Sequence, residues 1–128
     1  MKQWTGEDLD KIGTSEEIQL SSLKRDGTLR RAVTIWVVRL GDGLYVRAVN
    51  GRKGAWFRGT QVRKERRIRA GSLEKDVSFV DADPDLNAQI DEAYRSKYRH
   101  YSVRIVNTIL TPRACDSTLG LLPRLTSH

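Results

Sequence analysis

The chain has 128 residues and a net charge of +7, with 38% hydrophobic and 30% charged residues. This length is typical of one domain, residues 1–128, and the composition excludes an intrinsically disordered protein. No apolar run approaches the roughly 20 residues that cross a bilayer, and the single cysteine, Cys115, excludes an internal disulfide. We therefore expect a globular protein with no membrane span, in a reducing, cytoplasmic compartment.

The positive charge is concentrated in the middle of the chain. Between Arg25 and Arg69 the acidic residues are Asp26, Asp42 and Glu65, and arginine and lysine far outnumber them. A basic face suits nucleic acid, an anionic cofactor or an acidic substrate. A basic surface that serves only solubility explains the charge equally well.

The first predicted element is a short helix that Thr5 caps and Gly13 ends. Asp8 lies at the third helical position, and Trp4 is placed to fold onto Leu9. This combination is a capping box with a hydrophobic staple, so the helix is expected to be structural.

Three strands are predicted next. Residues 18–22 alternate between apolar and polar side chains, which indicates a half-buried strand. Residues 33–40 are rich in β-branched and aromatic side chains, which predicts a central strand covered on both faces. Residues 44–49 return after a glycine-rich turn. With a second tight turn at Asp26-Gly27, the three strands form an antiparallel meander.

The second half of the chain continues with helices and strands. Asp83 caps a long helix that Pro84 opens, and its tyrosines lie on the apolar stripe and are expected in the core. Pro112 is expected to end a further helical segment. The predicted elements are a short helix at 53–62, two strands at 67–69 and 73–80, a long helix at 84–101, a helical segment at 103–110 and a last strand at 117–122.

These elements predict a mainly β fold. Strands that follow each other in sequence are joined by short turns, which favours antiparallel pairing over a parallel sheet. We therefore expect a small antiparallel barrel of six strands with helices on its outside.

The most distinctive stretch is AVNGRKGAWFRG, residues 48–59. Asn50 and Gly51 suit the left-handed backbone of a tight corner. Exposed backbone amides at this corner, together with the side chains of Arg52 and Lys53, form a predicted phosphate site. A helix that begins near Lys53 would add favourable partial charge at its amino end.

Trp56 follows this corner directly. Its indole is a suitable surface for a flat ring, which would complete a cofactor site. The alternative is that Trp56 and Phe57 plug the end of the barrel and that the basic corner is a solvated turn. The spacing alone supports both interpretations equally.

Other chemistry has little support in the sequence. His100, His128 and Cys115 are too few and too scattered for a metal site, and none is predicted. The chain has no Walker loop and no Gly-x-Gly-x-x-Gly motif. The basic run of residues 63–69 keeps a nucleic-acid-binding barrel as a less favoured hypothesis, because stacking platforms need exposed aromatics and few are expected here.

Several segments of the chain form a recognisable series: AVTIWVVRLGDGLYVRAVNGRKGAWFRG, followed by RIRAG, EKDV and IDEAYRSKYRHY. Through these segments the chain resembles, from Trp4 to Arg124, a bacterial family of unknown function, domain of unknown function 2255. This family is grouped with the FMN- and deazaflavin-binding split barrels, which include proteins like pyridoxamine phosphate oxidase and the deazaflavin-dependent nitroreductases. The resemblance implies a six-stranded antiparallel split barrel that forms a homodimer with its ligand between the subunits.

The resemblance also implies a site and a cofactor, FMN or a deazaflavin. Thr34 and Trp36 would face the cofactor ring, and Arg30 and Arg31 would assist. The phosphate would be held by the residues of the basic corner, Asn50, Gly51, Arg52 and Lys53. The function implied is a nitroreductase-like oxidoreductase that transfers hydride with this cofactor.

Two departures from the nitroreductase pattern support an alternative. Ile35 stands where that pattern has a proline, and Val49-Asn50 stands where it has Ser-Lys. A split barrel that has lost its cofactor and serves as a binding or dimerisation module is therefore kept as the second hypothesis.

Overall fold

The computed structural model describes residues 4–22, 28, 31–62 and 65–124. The predicted turn at Asp26-Gly27 lies outside these residues. The strands are β1 Ile18–Ser22, β2 Val33–Ile35, β3 Val38–Leu40, β4 Gly43–Val46, β5 Glu65–Ala70, β6 Leu73–Asp81 and β7 Leu119–Pro123. The helices are α1 Gly6–Thr14, α2 Ala55–Val62, α3 Asn87–Lys97, α4 Val103–Asn107 and α5 Pro112–Asp116, with short 3₁₀ helices at Gly51–Lys53 and Pro84–Leu86.

The described strands form one antiparallel sheet in the order β2-β1-β5-β6-β7-β4-β3. Strands β2 and β3 lie at opposite edges of this sheet although only Trp36 and Val37 separate them in the chain. The sheet must therefore curl until its two edges meet at these two residues. The architecture is a split barrel with flanking helices, which confirms the predicted fold class.

The prediction of one central strand over residues 33–40 is wrong. The segment is divided into the two edge strands β2 and β3, so the described strands number seven instead of six. The division occurs where the Tyr98 hydroxyl accepts a hydrogen bond from the Val37 amide at 3.2 Å, in place of a neighbouring strand. β-branched and aromatic side chains favour extended backbone, but they do not decide whether that backbone lies at the centre or the edge of a sheet.

Two hydrophobic clusters hold the fold together. The larger fills the barrel and includes Trp4, Ile18 and Phe57. The smaller lies between α3 and the β3 side of the sheet and includes Tyr94 and Tyr98, which are buried as predicted. Tyr101, which was predicted on the same stripe, is only partly buried.

Helix α1 forms as its sequence predicts. The Thr5 side chain accepts a hydrogen bond from the Asp8 amide at 3.1 Å, and Trp4 and Leu9 pack in the same cluster. The helix does not end at Gly13 but continues to Thr14. The glycine instead permits close packing, because a Cβ atom there would lie 3.0 Å from the Cβ of Arg39.

The predicted role of Pro112 is also corrected. Helix α4 already ends at Asn107, and Pro112 begins α5. The Thr111 hydroxyl caps α5 by accepting the Ala114 amide at 3.1 Å. Proline fits this position because the first helical turn needs no amide donor. Within the described ranges, no helix is both long and apolar enough to cross a membrane.

Candidate functional site

One cavity of about 520 Å³ opens beside the point where the barrel edges meet. Its walls come from residues 33–36, 47–50 and 54–56, together with Glu17, Ile105, Thr108 and Ile109. The volume lies within the range of small-molecule and cofactor pockets, roughly 300–1,000 Å³. The lining is mainly apolar, with Thr34, Asn50 and Thr108 as neutral polar side chains.

Four of the residues predicted from the sequence line this cavity: Thr34, Trp36, Asn50 and Trp56. The next three predicted residues, Gly51, Arg52 and Lys53, form the adjacent 3₁₀ helix and are not part of the lining. Arg31 is exposed immediately before β2, and Arg30 lies outside the described residues.

Two tryptophans contribute to the same cavity. Trp36 stacks on Tyr98 with ring centroids 3.9 Å apart and an interplanar angle of 7°. Trp56 is half-buried and packs against the barrel core, edge-on to Phe57 at 6.3 Å. Phe57 is the residue that seals the interior, whereas Trp56 contacts both the core and the cavity.

The basic corner has a different backbone from the one predicted. Gly51 is left-handed, with a φ of 69°, but Asn50 is not, with a φ of −85°. A Cβ atom on Gly51 would collide with Cγ of Arg113 in α5. Glycine is required here because it is free of both the left-handed strain and this collision.

Arg52 pairs with groups of the protein itself, although the sequence analysis expected it to bind a phosphate. Its Nε atom donates to the backbone oxygen and to Oδ2 of Asp116, both at 3.0 Å. Its Nη2 atom lies 3.7 Å from Asp81, and its guanidinium lies over the Phe57 ring at 5.2 Å. Because the side chain fixes the corner to α5 and β6, we omit it from the proposed binding residues. The side chain of Lys53 is exposed.

The beginning of α2 offers a different means of holding an anion. Gly54, Ala55 and Trp56 line the cavity, and the first backbone hydrogen bond of this helix runs from the Arg58 amide to the Gly54 oxygen at 3.0 Å. The amides that precede Arg58 in the first turn therefore have no partner within the helix. Such amides and the helix dipole favour negative charge.

Arg47 is a site residue that the sequence did not reveal. Its side chain is fully buried, lines the cavity and pairs with Asp91 at 2.5 Å. The other N–H groups donate to Thr118, to the Ile109 oxygen and to Asn87. All five guanidinium donors are thereby used. The sequence analysis placed Arg47 only within the predicted strand of residues 44–49, and no local signal distinguishes it from an exposed arginine.

A polar and aromatic cluster behind Trp36 was also missed. Lys97 donates to the Val37 oxygen at 2.6 Å, and the Tyr98 hydroxyl donates to the Glu16 oxygen at 2.7 Å. Burial lowers the pKa of Lys97 to about 8. Burial also raises the pKa of Tyr98, so its hydroxyl stays protonated at neutral pH.

The carboxylate of Glu16 joins this cluster to the surface. His100 Nε2 lies 2.8 Å from its Oε2 atom, and the Tyr101 hydroxyl donates to the same atom at 3.1 Å. The hydrogen bond from His100 lowers the pKa of Glu16, and the contact with Glu16 raises the pKa of Tyr101. Sequence analysis had no means of finding this contact because Glu16 and Tyr101 are far apart in the chain.

Comparison with protein families identifies the chain. The profile described as "Uncharacterized protein conserved in bacteria (DUF2255)" matches residues 8–121. The chain belongs to this family. This confirms the resemblance on which the sequence analysis relied, whereas a search of curated proteins finds no match.

Solved structures share the fold at low sequence identity. A heme storage protein from Vibrio cholerae, HutZ, has a TM-score of 0.60 at 12% identity, over 100% of this chain and 93% of that one. A putative pyridoxamine 5'-phosphate oxidase from Listeria innocua has 0.58 at 11%, over 91% and 90%. An F420 reductase has 0.54 at 13%, over 93% of both chains. The chain therefore shares its split-barrel fold with proteins whose names mention F420, heme and pyridoxamine 5'-phosphate.

Proposed function

We propose that this DUF2255 protein binds a flavin or a deazaflavin in the cavity beside Trp36. The observation that carries the proposal is that two indoles and the first turn of an eight-residue helix line one cavity. Trp36 and Trp56 would hold the flat ring, with Thr34 beside it. Asn50 and the amides of the first turn of α2 would hold the phosphate. The bound cofactor would supply hydride transfer.

The side chains in this cavity fit a flavin better than a haem. Haem iron is usually held by histidine, cysteine, methionine or tyrosine. None of the described lining residues is of these types. A flavin needs an apolar surface for its ring and a site for its phosphate, which the apolar lining and the first turn of α2 would supply.

A titration of the purified protein with FMN, a deazaflavin and riboflavin tests the proposal. Fluorescence quenching should show saturable FMN binding, with riboflavin weaker because it lacks the phosphate that α2 would hold. Trp56→Leu should weaken FMN binding, whereas Arg52→Ala, a control at the same corner but outside the lining, should not. Absence of binding by FMN and the deazaflavin up to about tens of micromolar would refute the proposal.

We also propose that two copies of the chain associate at the cavity mouth. Val33, Val49 and Ile105 line the cavity and are 37%, 49% and 47% exposed, respectively. Exposed apolar groups clustered at one opening are typical of a surface that is covered by a partner. A symmetric dimer would cover this opening with the same residues of the second copy.

Sedimentation of two matched variants tests the dimer. Val49→Lys introduces a charge at the cavity mouth and should give a monomer. Val80→Lys is the control, because Val80 is 43% exposed but lines a separate cavity on β6. Equal masses for the two variants and the wild type would count against association at the mouth.

The second hypothesis, a module without a cofactor, has one specific observation in its favour. Arg52, a cation of the predicted phosphate corner, is held by Asp116 and does not line the cavity. A protein that binds no flavin but sediments as a dimer would support that hypothesis.

A further inference from the structure

We propose that Trp36 and Tyr101 form a one-electron route from the cavity to the protein surface, with Glu16 as the acceptor of the phenolic proton. The proposal rests on the proposed function only for the oxidant, which would be a flavin held in the cavity. The route itself consists of side chains that are already in contact.

The first part of the route is an aromatic contact. Trp36 lines the cavity, and its ring centroid is 5.1 Å from that of Tyr101, with the rings tilted by 41°. Tyr98 lies parallel to Trp36 on the 3.9 Å stack and is 6.1 Å from Tyr101. Electron transfer between rings at these distances is efficient, because electronic coupling decays steeply with distance and these rings are close to contact. The stack on Tyr98 also fixes the orientation of the Trp36 indole.

The second part is a proton acceptor, which Tyr101 has and Tyr98 lacks. A phenol gives up an electron readily only when a nearby base takes its proton. The single O–H group of Tyr98 is within hydrogen-bond distance of the backbone oxygens of Glu16 and Val37, at 2.7 and 3.1 Å, and amide oxygens are very weak bases. The Tyr101 hydroxyl donates to the Glu16 carboxylate at 3.1 Å. Tyr101 is therefore the end of the route.

The surroundings of Glu16 favour its ionised form, which can accept the phenolic proton of Tyr101. His100 Nε2 lies 2.8 Å from the oxygen that also accepts from Tyr101, and this contact favours the ionised carboxylate. The side chains of His100 and Glu16 are 55% and 46% exposed, so the end of the route is accessible to a reductant in solution.

The electrons and protons balance as follows. A one-electron oxidant in the cavity, such as photoexcited flavin, takes one electron from Trp36 and leaves the indole radical cation. Tyr101 then gives one electron to Trp36 and its phenolic proton to Glu16. The products are an oxidant reduced by one electron, neutral Trp36, a neutral tyrosyl radical at Tyr101 and a protonated Glu16. A soluble thiolate or ascorbate would then give one electron to the tyrosyl radical and itself become a radical, while Glu16 returns the proton to the phenolic oxygen of Tyr101. The route would thus carry oxidising equivalents out of the cavity.

Laser excitation of the full chain with bound FMN, followed by transient absorption and electron paramagnetic resonance, tests the route. The wild type should give a neutral tyrosyl radical. Tyr101→Phe should abolish that radical and prolong the tryptophan radical. Trp36→Phe should abolish the tyrosyl radical, and the control Tyr45→Phe should leave it unchanged. A tyrosyl radical of undiminished yield in Tyr101→Phe or Trp36→Phe would overturn the proposal.

A second oxidant separates this proposal from flavin binding. Ruthenium(III) tris-bipyridine generated by flash-quench oxidises tryptophan in the protein without any cofactor. Glu16→Gln keeps a hydrogen-bond acceptor for Tyr101 but removes the base, and it changes an exposed side chain, so folding should be preserved. The tyrosyl radical should be lost in this variant and present in the wild type. An equal yield in both would overturn the route, whether or not FMN binds.

Discussion

Two arginines flank the corner between β4 and α2, and they behave in opposite ways. The Arg47 side chain is fully buried and donates all of its hydrogen bonds to protein groups that include Asp91, Thr118 and Asn87. The Arg52 side chain is 44% exposed and pairs with Asp116, which is 70% exposed. The buried arginine joins the segment after β4 to α3 and to the residue before β7, whereas the exposed one contacts the corner from its solvent side.

This difference shows why a basic stretch is weak evidence for an anion site. A cation near a pocket serves a ligand only if its donors remain available. Arg47 lines the cavity but has no remaining donor, and Arg52 is engaged on the other side of the corner. In our proposal the anion is held instead by backbone amides of the first turn of α2, a helix that the sequence analysis expected to begin near Lys53.

The largest effect is expected from removal of the buried cation. Arg47→Met leaves Asp91 without its ion pair and Thr118 and Asn87 without a donor. Breaking a buried pair in this way should lower the free energy of unfolding by about 3 kcal/mol. Urea denaturation measures this loss. In Arg47→Met with Asp91→Leu the unpaired charge is absent, so the double variant should be more stable than the single one. A loss below about 1 kcal/mol, as expected for exposed pairs, would remove the contrast with Arg52.

The corner between the arginines comes next. Gly51 and Gly71 are both left-handed, with φ values of 69° and 62°. Alanine at either position should cost about 1 kcal/mol of backbone strain. Gly51→Ala should cost more than Gly71→Ala, because its Cβ would meet Arg113 whereas Gly71 faces open space. Thermal unfolding of the two variants compares them directly, and equal losses would show that the contact with Arg113 is unimportant.

A small effect is expected at the exposed arginine. Arg52→Ala removes ion pairs with Asp116 and Asp81 that are accessible to solvent. Such pairs contribute about 0–1 kcal/mol, so the free energy of unfolding should change by no more than this amount. The change should shrink further when salt is added. A loss as large as that of Arg47→Met would show that the exposed corner contributes more to the free energy of unfolding than its contacts suggest.

A pH-dependent effect concerns a third cation, Lys97, whose burial is intermediate between that of Arg47 and that of Arg52. Burial lowers the pKa of Lys97 from 10.5 to about 8 in the folded protein. Between these values the unfolded chain binds more protons at this residue than the folded one, so the contribution of Lys97 to stability should rise with pH. Burial raises the pKa of Cys115, which acts in the opposite direction. Urea denaturation from pH 8 to 9.5 should therefore show a more positive slope of stability against pH in the wild type than in Lys97→Met, and identical slopes would mean that Lys97 titrates normally.

Local sequence was sufficient for most elements of the barrel. Three features depend only on neighbours within a few residues. They are the caps of α1, the β5–β6 hairpin around Gly71 and the 3₁₀ helix that Pro84 begins before α3. Local sequence also placed Asn50 and Trp56 among the candidate residues. The family resemblance added Thr34 and Trp36, and all four line the same cavity. The family resemblance supplied the split barrel as the way in which the strands close.

The tertiary structure decided what these residues contact. The break of residues 33–40 into two edge strands depends on Tyr98, which is 61 residues from Val37 along the chain. The burial of Arg47 depends on Asp91 and Thr118, and the position of Arg52 depends on Asp116. Local propensity and periodicity are fixed by near neighbours in the sequence. Burial and donor availability are fixed by residues that only folding brings close. The sequence therefore indicated a pocket, and the tertiary structure determined which residues line it.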